Sequence, residues 1–242
     1  MEVYPTPLNI ITMVPHTHTP HAWRMLLFGV VALVLDLFDF EILPTQYDSS
    51  EHWHCRAYHT VFNQGDCGAC LAFAVATAYG MSSCVDGRDE LPSPHRIFDC
   101  SGGTCESGTN LLAAYRIMKA GVPDINSTAP MYGMGCAAGP YRSYMDVYVG
   151  KQNIKRALMR HGALVYSVDM QPYLDMPEEQ VATHAVVVTG WGSEPKPHWI
   201  IQNSWSEDWG RKGKGVVAME SASFMIGISP GGHWLKEWFF WK

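Results

Sequence analysis

Apolar residues are spaced as in helices in some segments of the chain and form strand-like runs in others. Helix-spaced or nearly continuous apolar runs predict helices at 70–80, 109–119 and 151–160. Runs rich in β-branched and aromatic residues predict strands at 163–169, 184–192, 198–203 and 215–218. We place all three helices in one lobe of the fold and the strands in the other, a segregation that is typical of the α+β class.

The first 42 residues differ in composition from the rest of the chain. Residues 1–24 are rich in proline, threonine and histidine, and an eleven-residue apolar run, Met25–Leu35, follows them. That run suits a signal sequence and is too short to span a bilayer. The alternative is a buried element of a pro-segment. We therefore assign 1–42 to a signal and short pro-segment, partly disordered, and 43–242 to the main domain.

Composition and charge exclude several classes of protein. With 47% apolar and 17% charged residues, the 242-residue chain is globular. The net charge of −6 argues against a nucleic-acid partner, because such partners select positive surfaces. No apolar stretch is long enough for a stable membrane span. We expect no metal and no other cofactor.

The seven cysteines lie between positions 55 and 136. In an oxidising compartment an odd number predicts three disulfides and one free thiol, whereas in the cytosol all seven would be buried thiols. The sequon that begins at Asn126 adds a glycosylation site and favours the secretory pathway.

The segment from Gln64 to Phe73, sequence QGDCGACLAF, carries the most chemical information. It places Cys70 in the first turn of an apolar helix, where the positive end of the helix dipole favours a thiolate. Cys67 and Cys70 could form a redox pair, half of a zinc site, or the motif of a cysteine peptidase in which Cys70 attacks.

The peptidase interpretation requires a basic partner for the thiol, and the sequence supplies one. His184 begins a β-rich run, and Asn203 follows the next predicted strand. An asparagine oxygen can accept a hydrogen bond from the imidazole and so fix its tautomer. Trp205 could shield that hydrogen bond from water.

These motifs resemble those of the papain-like cysteine peptidases, and most of all the cathepsin B branch. The resemblance rests on known family signatures. They are QGDCGAC at 64–70, the cysteines near 100 and 105, His184-Ala with GWG at 190–192, and Asn203-Ser-Trp. An LPTQYD start at 43–48 and the cysteines at 55 and 84 point to the cathepsin B branch. The resemblance implies a two-lobed α+β fold, with a helical left lobe, a barrel-like β-rich right lobe and a cleft between them.

The resemblance also implies roles for individual residues. Cys70 is the nucleophile, His184 its partner, Asn203 the group that orients His184, and Gln64 an oxyanion donor beside the backbone of Cys70. Substrate contacts are expected from Gly68, Ser107, Gly108, Thr183, Ala185 and Trp205. Disulfides are expected between Cys67 and Cys105, Cys100 and Cys136, and Cys55 and Cys84.

Function follows as an expectation from the same resemblance. It implies a lysosomal, vacuolar or secreted peptidase that acts on peptides and proteins, with cystatin-like inhibitors as further partners. No segment between Cys105 and Cys136 has room for a histidine-bearing occluding loop, which favours an endopeptidase. The run from Ser223 to Ile228 has no acidic residue, which favours an apolar P2 residue.

Two other functions remain open from the sequence. Leu71 replaces the usual aromatic residue after the nucleophile, which would suit a weak or inactive homologue that binds peptides without cleaving them. A thiol–disulfide oxidoreductase would pair Cys67 with Cys70, whereas the peptidase pairs Cys67 with Cys105.

Overall fold

The computed structural model describes residues 43–126, 136, 139–169 and 183–231. The segment 1–42, assigned to a signal and pro-segment, lies outside these residues, as does the tail from position 232. Asn126 is described and exposed, whereas the other two residues of its sequon are not described. Within the described part of the chain, no helix has the length and apolar character needed to cross a membrane.

Helices and strands follow one another in an α+β order. The helices are α1 (Arg56–His59), α2 (Cys70–Val85), α3 (Pro94–Cys100), α4 (Leu111–Ala120) and α5 (Lys151–His161). The strands are β1 (Tyr47–Asp48), β2 (Ser143–Val149), β3 (Leu164–Asp169), β4 (Thr183–Gly192), β5 (His198–Gln202), β6 (Lys214–Ala218) and β7 (Phe224–Pro230). The predicted helices and strands correspond to α2, α4, α5, β3, β4, β5 and β6, and the ends agree to within a few residues except at the C-terminus of α2.

Helix α2 lies at the centre of the domain. Every residue from Ala72 to Cys84 is buried, as expected for a helix whose sequence is apolar on all sides. The helix contacts α1, α3 and α4 as well as strands β4 and β7. Its first residue, Cys70, is therefore held by an element that packs against both the helical lobe and the sheet.

The strands form one antiparallel sheet in the order β2-β7-β3-β4-β5-β6, with β1 paired to β4. The right lobe was expected to be barrel-like. Among the described residues the ladder ends at β2 on one side and β6 on the other, so the sheet is open. The strand that carries His184, β4, lies inside this sheet between β3 and β5 and is held along both edges.

Helix α5 packs on the sheet, and its assignment to the helical lobe was wrong. Its buried residues Ile154, Ala157 and Leu158 have helical i, i+3, i+4 spacing and share a core with Leu164 and Val186 of the sheet. Amphipathic spacing identifies the buried face of a helix, but it does not identify the partner of that face.

Three disulfides connect the elements of the helical lobe. They join Cys55 to Cys84, Cys67 to Cys105 and Cys100 to Cys136, the pairs that the resemblance implies. Cys70 is the free thiol. A pair between Cys67 and Cys70 is therefore not present, which removes the geometric basis of the oxidoreductase alternative.

Asp124 joins the first helix to the segment after α4. Its carboxylate accepts hydrogen bonds from Arg56 Nη2 at 2.8 Å, from Tyr141 Oη at 2.9 Å and from the backbone N–H of Asn126 at 2.9 Å. Burial favours the neutral acid, but these donors outweigh it and lower the pKa of Asp124 to about 2.

Substituting Asp124→Asn is expected to lower the free energy of unfolding by about 1–2 kcal/mol near neutral pH. A lowered carboxyl pKa stabilises the folded state above the unfolded-state pKa, and this stabilisation is lost as pH falls through the folded value. Urea unfolding of the wild type and the Asp124→Asn variant, at about pH 6 and about pH 3, should show a smaller difference in unfolding free energy at the lower pH.

The control for this prediction is Asp89→Asn. Asp89 also contacts Arg56: its Oδ1 accepts the backbone N–H of Arg56 at 2.9 Å, and its Oδ2 lies 3.5 Å from Nε. Because its side chain is 53% exposed, a smaller effect is expected. A difference in unfolding free energy between the wild type and the Asp124 variant that does not change with pH would contradict the prediction.

Candidate active site

Cys70 is the first residue of α2, and two links hold the loop that leads to it. The disulfide from Cys67 to Cys105 fixes one point of that loop, and the N–H of Gly68 donates to the carbonyl of Cys105 at 2.9 Å. The thiol is half-buried and stands at the helix N-terminus, where unpaired backbone N–H groups favour negative charge.

His184 lies near the start of β4 and is only 6% exposed. Its Nε2 is 2.7 Å from Oδ1 of Asn203, which directly follows β5. Because β4 and β5 are neighbouring antiparallel strands, the sheet brings these two residues together from 19 positions apart.

The hydrogen bonds of Asn203 fix the tautomer of His184. The same Oδ1 accepts the backbone N–H of Ser204 at 2.8 Å. A backbone N–H can only donate, so the atom that faces the imidazole is the amide oxygen. His184 Nε2 must therefore carry the hydrogen, and in the neutral ring Nδ1 is left as the basic nitrogen.

Trp205 packs against the imidazole of His184. Its ring stacks on the imidazole at 4.4 Å between centroids, and Trp209 contacts Trp205 edge-on at 5.8 Å. Burial lowers the pKa of His184, and the hydrogen bond to Asn203 offsets part of that effect. An isolated imidazolium is thus disfavoured here, and a nearby negative charge is needed to stabilise it.

Gln64 is oriented by hydrogen bonds from both ends of its amide. Its Nε2 donates to the carbonyl of Cys67 at 2.8 Å, and its Oε1 accepts from Ser204 Oγ at 2.5 Å. A carbonyl can only accept, so the amide orientation is fixed and the second hydrogen on Nε2 is available to another acceptor.

Ser204 links Asn203 to Gln64 and was not among the residues predicted from the sequence to act in the site. It bonds to Asn203 through its N–H, to the Gln64 backbone through its carbonyl at 2.9 Å, and to the Gln64 side chain through its hydroxyl. One residue thereby connects the group that orients the histidine with the predicted oxyanion donor. Its place next to Asn203 was the signal in the sequence.

A cavity of about 550 Å³ lies between α2 and the sheet and contains Cys70 in its wall. The predicted substrate contacts Gly68, Ser107, Gly108, Thr183 and Ala185 all line it. Trp205 is not among the described residues of that wall and packs on His184 instead. The sequence did not single out these further lining residues as substrate contacts: Leu71, Glu106, Thr109, Asn110, Leu111, Val165, Ser167, Phe224 and Ile226.

Glycine is required at Gly68 and Gly108 because the two loops that carry these residues approach each other closely. A Cβ on Gly68 would lie 2.8 Å from the carbonyl oxygen of Cys105, and one on Gly108 would lie 2.8 Å from that of Gly68. Gly108 also has φ of +69°, which favours glycine. The resemblance implied that these glycines admit substrate; in the structure each also allows the two loops to approach.

The family model described as “Papain family cysteine protease” matches residues 43–229, a span that contains all four predicted catalytic residues. The chain belongs to the papain family of cysteine proteases.

Two curated proteins are similar over most of this chain. Cathepsin K of Mus musculus is 31% identical over 182 residues, which cover 65% of this chain and 55% of cathepsin K. The cathepsin B-like cysteine proteinase of Schistosoma japonicum is 26% identical over 229 residues, which cover 71% of this chain and 67% of that protein. The chain thus spans little more than half the length of the mouse relative.

A solved structure supports the papain-like fold. The procathepsin B S9 of Trypanosoma congolense superimposes with a TM-score of 0.65 at 21% identity, covering 91% of this chain and 83% of that one. The two-lobed α+β papain-like fold expected from the motifs is therefore confirmed.

Proposed function

We propose that this papain-family protein is a cysteine peptidase that hydrolyses peptide bonds through Cys70 and His184. The observation that carries the proposal is the tautomer of His184, which leaves Nδ1 as the base. The one cysteine outside the disulfides lines the same cavity as Thr183 and Ala185, the two neighbours of that histidine.

In the first step, the Cys70 proton moves to Nδ1 of His184. The thiolate that forms supplies the negative charge that the buried imidazolium needs, and the N-terminus of α2 stabilises the thiolate. Sγ then attacks the substrate carbonyl carbon, and the pair of electrons moves to the carbonyl oxygen. Asn203 keeps the imidazole ring in position throughout.

The oxyanion that results needs donors in fixed positions. The second N–H of the Gln64 amide and the backbone N–H of Cys70 are the proposed pair. Collapse of this intermediate expels the amine, which takes the proton from His184, and leaves a thioester on Cys70. Water, deprotonated by His184, then hydrolyses the thioester and restores the thiol.

We assign the activity to an endopeptidase. An exopeptidase of the cathepsin B type requires a histidine-bearing loop across the cleft, as the resemblance implies. The interval from 105 to 136 contains no histidine. Most of it up to position 126 is used by a tight turn, by helix α4 and by the pairing of Val122 with Tyr141.

Substrates with leucine at P2 are expected to be hydrolysed at least about tenfold more efficiently than those with arginine there. The wall of the cavity beside Cys70 includes the apolar residues Val165, Ala185, Phe224 and Ile226. Burying a guanidinium against them without a partner is unfavourable. The measurement is kcat/KM on matched fluorogenic peptides in reducing buffer at mildly acidic pH, with the material processed to start near Leu43.

The second candidate is a papain-fold protein that binds peptides without cleaving them, and Leu71 motivates it. Leu71 is half-buried and lines the cavity directly after the nucleophile. Labelling with an epoxide inhibitor of the E-64 type distinguishes the two. A peptidase incorporates one equivalent at Cys70, whereas folded protein that binds peptides but resists the label favours the second candidate.

We also propose a compartment and partners. The three disulfides and the exposed Asn126 suit a secreted, lysosomal or vacuolar protein. Peptides and proteins are the proposed substrates, and cystatin-like inhibitors are proposed as proteins that occupy the cleft.

A further inference from the structure

The described residues that line the active-site cavity are almost free of charge. Among the described residues that line it, Glu106 is the one that carries a full charge. Its neighbours in the wall are glycines, small polar residues and apolar side chains. Glu106 is exposed, so its carboxylate is hydrated and accessible to a ligand.

Glu106 lies in a turn that several bonds hold in place. Thr104 and Gly108 pair across the turn through two backbone hydrogen bonds, of 3.2 and 2.7 Å. The hydroxyls of Thr104 and Ser107 are 2.7 Å apart. Cys105, next to Glu106, is joined by its disulfide and its carbonyl to the loop that precedes Cys70. The carboxylate is therefore attached to backbone whose position relative to the nucleophile is fixed.

The two walls of the cavity differ in character. The wall from the sheet is apolar and comes from β3, β4 and β7 through Val165, Ala185, Phe224 and Ile226. The wall from the helical lobe contains the turn with Glu106. An extended peptide directs successive side chains to opposite faces, with a rise of about 3.3 Å per residue. If the P2 side chain faces the sheet, the P3 side chain faces the helical lobe.

We propose that Glu106 selects substrates with lysine or arginine at P3, the third residue before the cleaved bond. This inference rests on the proposed function, because it describes the substrate of the same site. A lysine or arginine side chain at P3 can extend to the edge of the cavity, where its charge stays hydrated beside the Glu106 carboxylate. A contact of this kind, between exposed charges, changes kcat/KM by roughly two- to fivefold.

The test uses three peptides that share leucine at P2 and differ at P3, where they carry arginine, glutamine or glutamate. In the wild type, kcat/KM should fall in that order. Glu106→Gln should reduce the arginine-to-glutamate ratio to near one, and Glu106→Lys should invert it. The wild-type ratio should also shrink at high ionic strength, because salt screens exposed charges.

Glu51→Gln is the matched control. Glu51 is an exposed carboxylate in the 3-10 turn after β1, and β1 pairs with the end of β4 that is far from His184. The P3 ratio of this variant should equal that of the wild type. A wild-type ratio near one, or a ratio that Glu106→Lys leaves unchanged, would overturn the proposal.

A binding measurement separates this proposal from the peptidase itself. Fluorescence anisotropy with Cys70→Ala and the same three peptides reports P3 selection without turnover. If no peptide is hydrolysed by the wild type but arginine at P3 still binds best through Glu106, the charge selection stands and the peptidase proposal fails. If hydrolysis occurs and neither binding nor turnover depends on P3, the selection by Glu106 is wrong.

Discussion

Replacing Cys70 with alanine is expected to lower kcat/KM for peptide hydrolysis by roughly 10⁴- to 10⁶-fold. No other described cysteine can substitute for it, because the remaining six are in disulfides. Without the thiol, His184 has no nucleophile to deprotonate, and only binding and the oxyanion donors remain. The measurement is hydrolysis of a fluorogenic peptide with leucine at P2, in reducing buffer at mildly acidic pH.

The control for this prediction is the double variant with His184→Ala. If Cys70 and His184 act as one unit, the double variant should be no slower than the slower single variant. Cys70 is half-buried at a helix start, so Cys70→Ala should also retain the unfolding midpoint of the wild type. Activity of a folded alanine variant close to that of the wild type would show that another group attacks the substrate.

The sequence predicts most reliably those features whose residue pattern has a single physical explanation. Cys70 begins α2 as expected, because an uninterrupted apolar run predicts a buried helix and the cysteine stands at its start. His184 and Asn203 come together because β4 and β5 are consecutive antiparallel strands, and consecutive strands usually pair. The order of these motifs along the chain is therefore sufficient to predict that His184 and Asn203 meet.

Elements with weak local signals were missed. Strand β7 contains Gly227 and ends at Pro230, both of which are depleted in strands. Helix α3 has seven residues, too few for helical periodicity, although its cap Ser93 and Pro94 mark a helix start. Both elements are stabilised by contacts with α2, and such contacts join residues far apart in the sequence.

The connection between Gln64 and Asn203 could not be predicted for the same reason. It runs through Ser204, which is 140 residues from Gln64, and it depends on hydrogen bonds of a backbone that the sequence does not display. Ser204 bonds to both residues, so the orientation of the predicted oxyanion donor is coupled to that of the histidine partner.

Gln64→Ala is expected to lower kcat by roughly 10²- to 10³-fold with little change in KM. The proposed N–H of Gln64 reaches the substrate oxygen only when that oxygen becomes negatively charged, so its loss affects the transition state more than the bound substrate. Because Cys70 and His184 remain, labelling by the epoxide should still occur at one site. The measurement is steady-state kinetics on the leucine P2 peptide.

Two variants distinguish the N–H of Gln64 from its role in packing. Gln64→Glu keeps the shape and the oxygen that accepts from Ser204, but it replaces the donor with a negative charge, so it should be at least as slow as Gln64→Ala. Ser204→Ala keeps the amide of Gln64 and removes one of its two side-chain hydrogen bonds, so a smaller loss is expected. A Gln64→Glu variant with wild-type kcat would exclude the side chain as an oxyanion donor and leave the N–H of Cys70 as the proposed donor that remains.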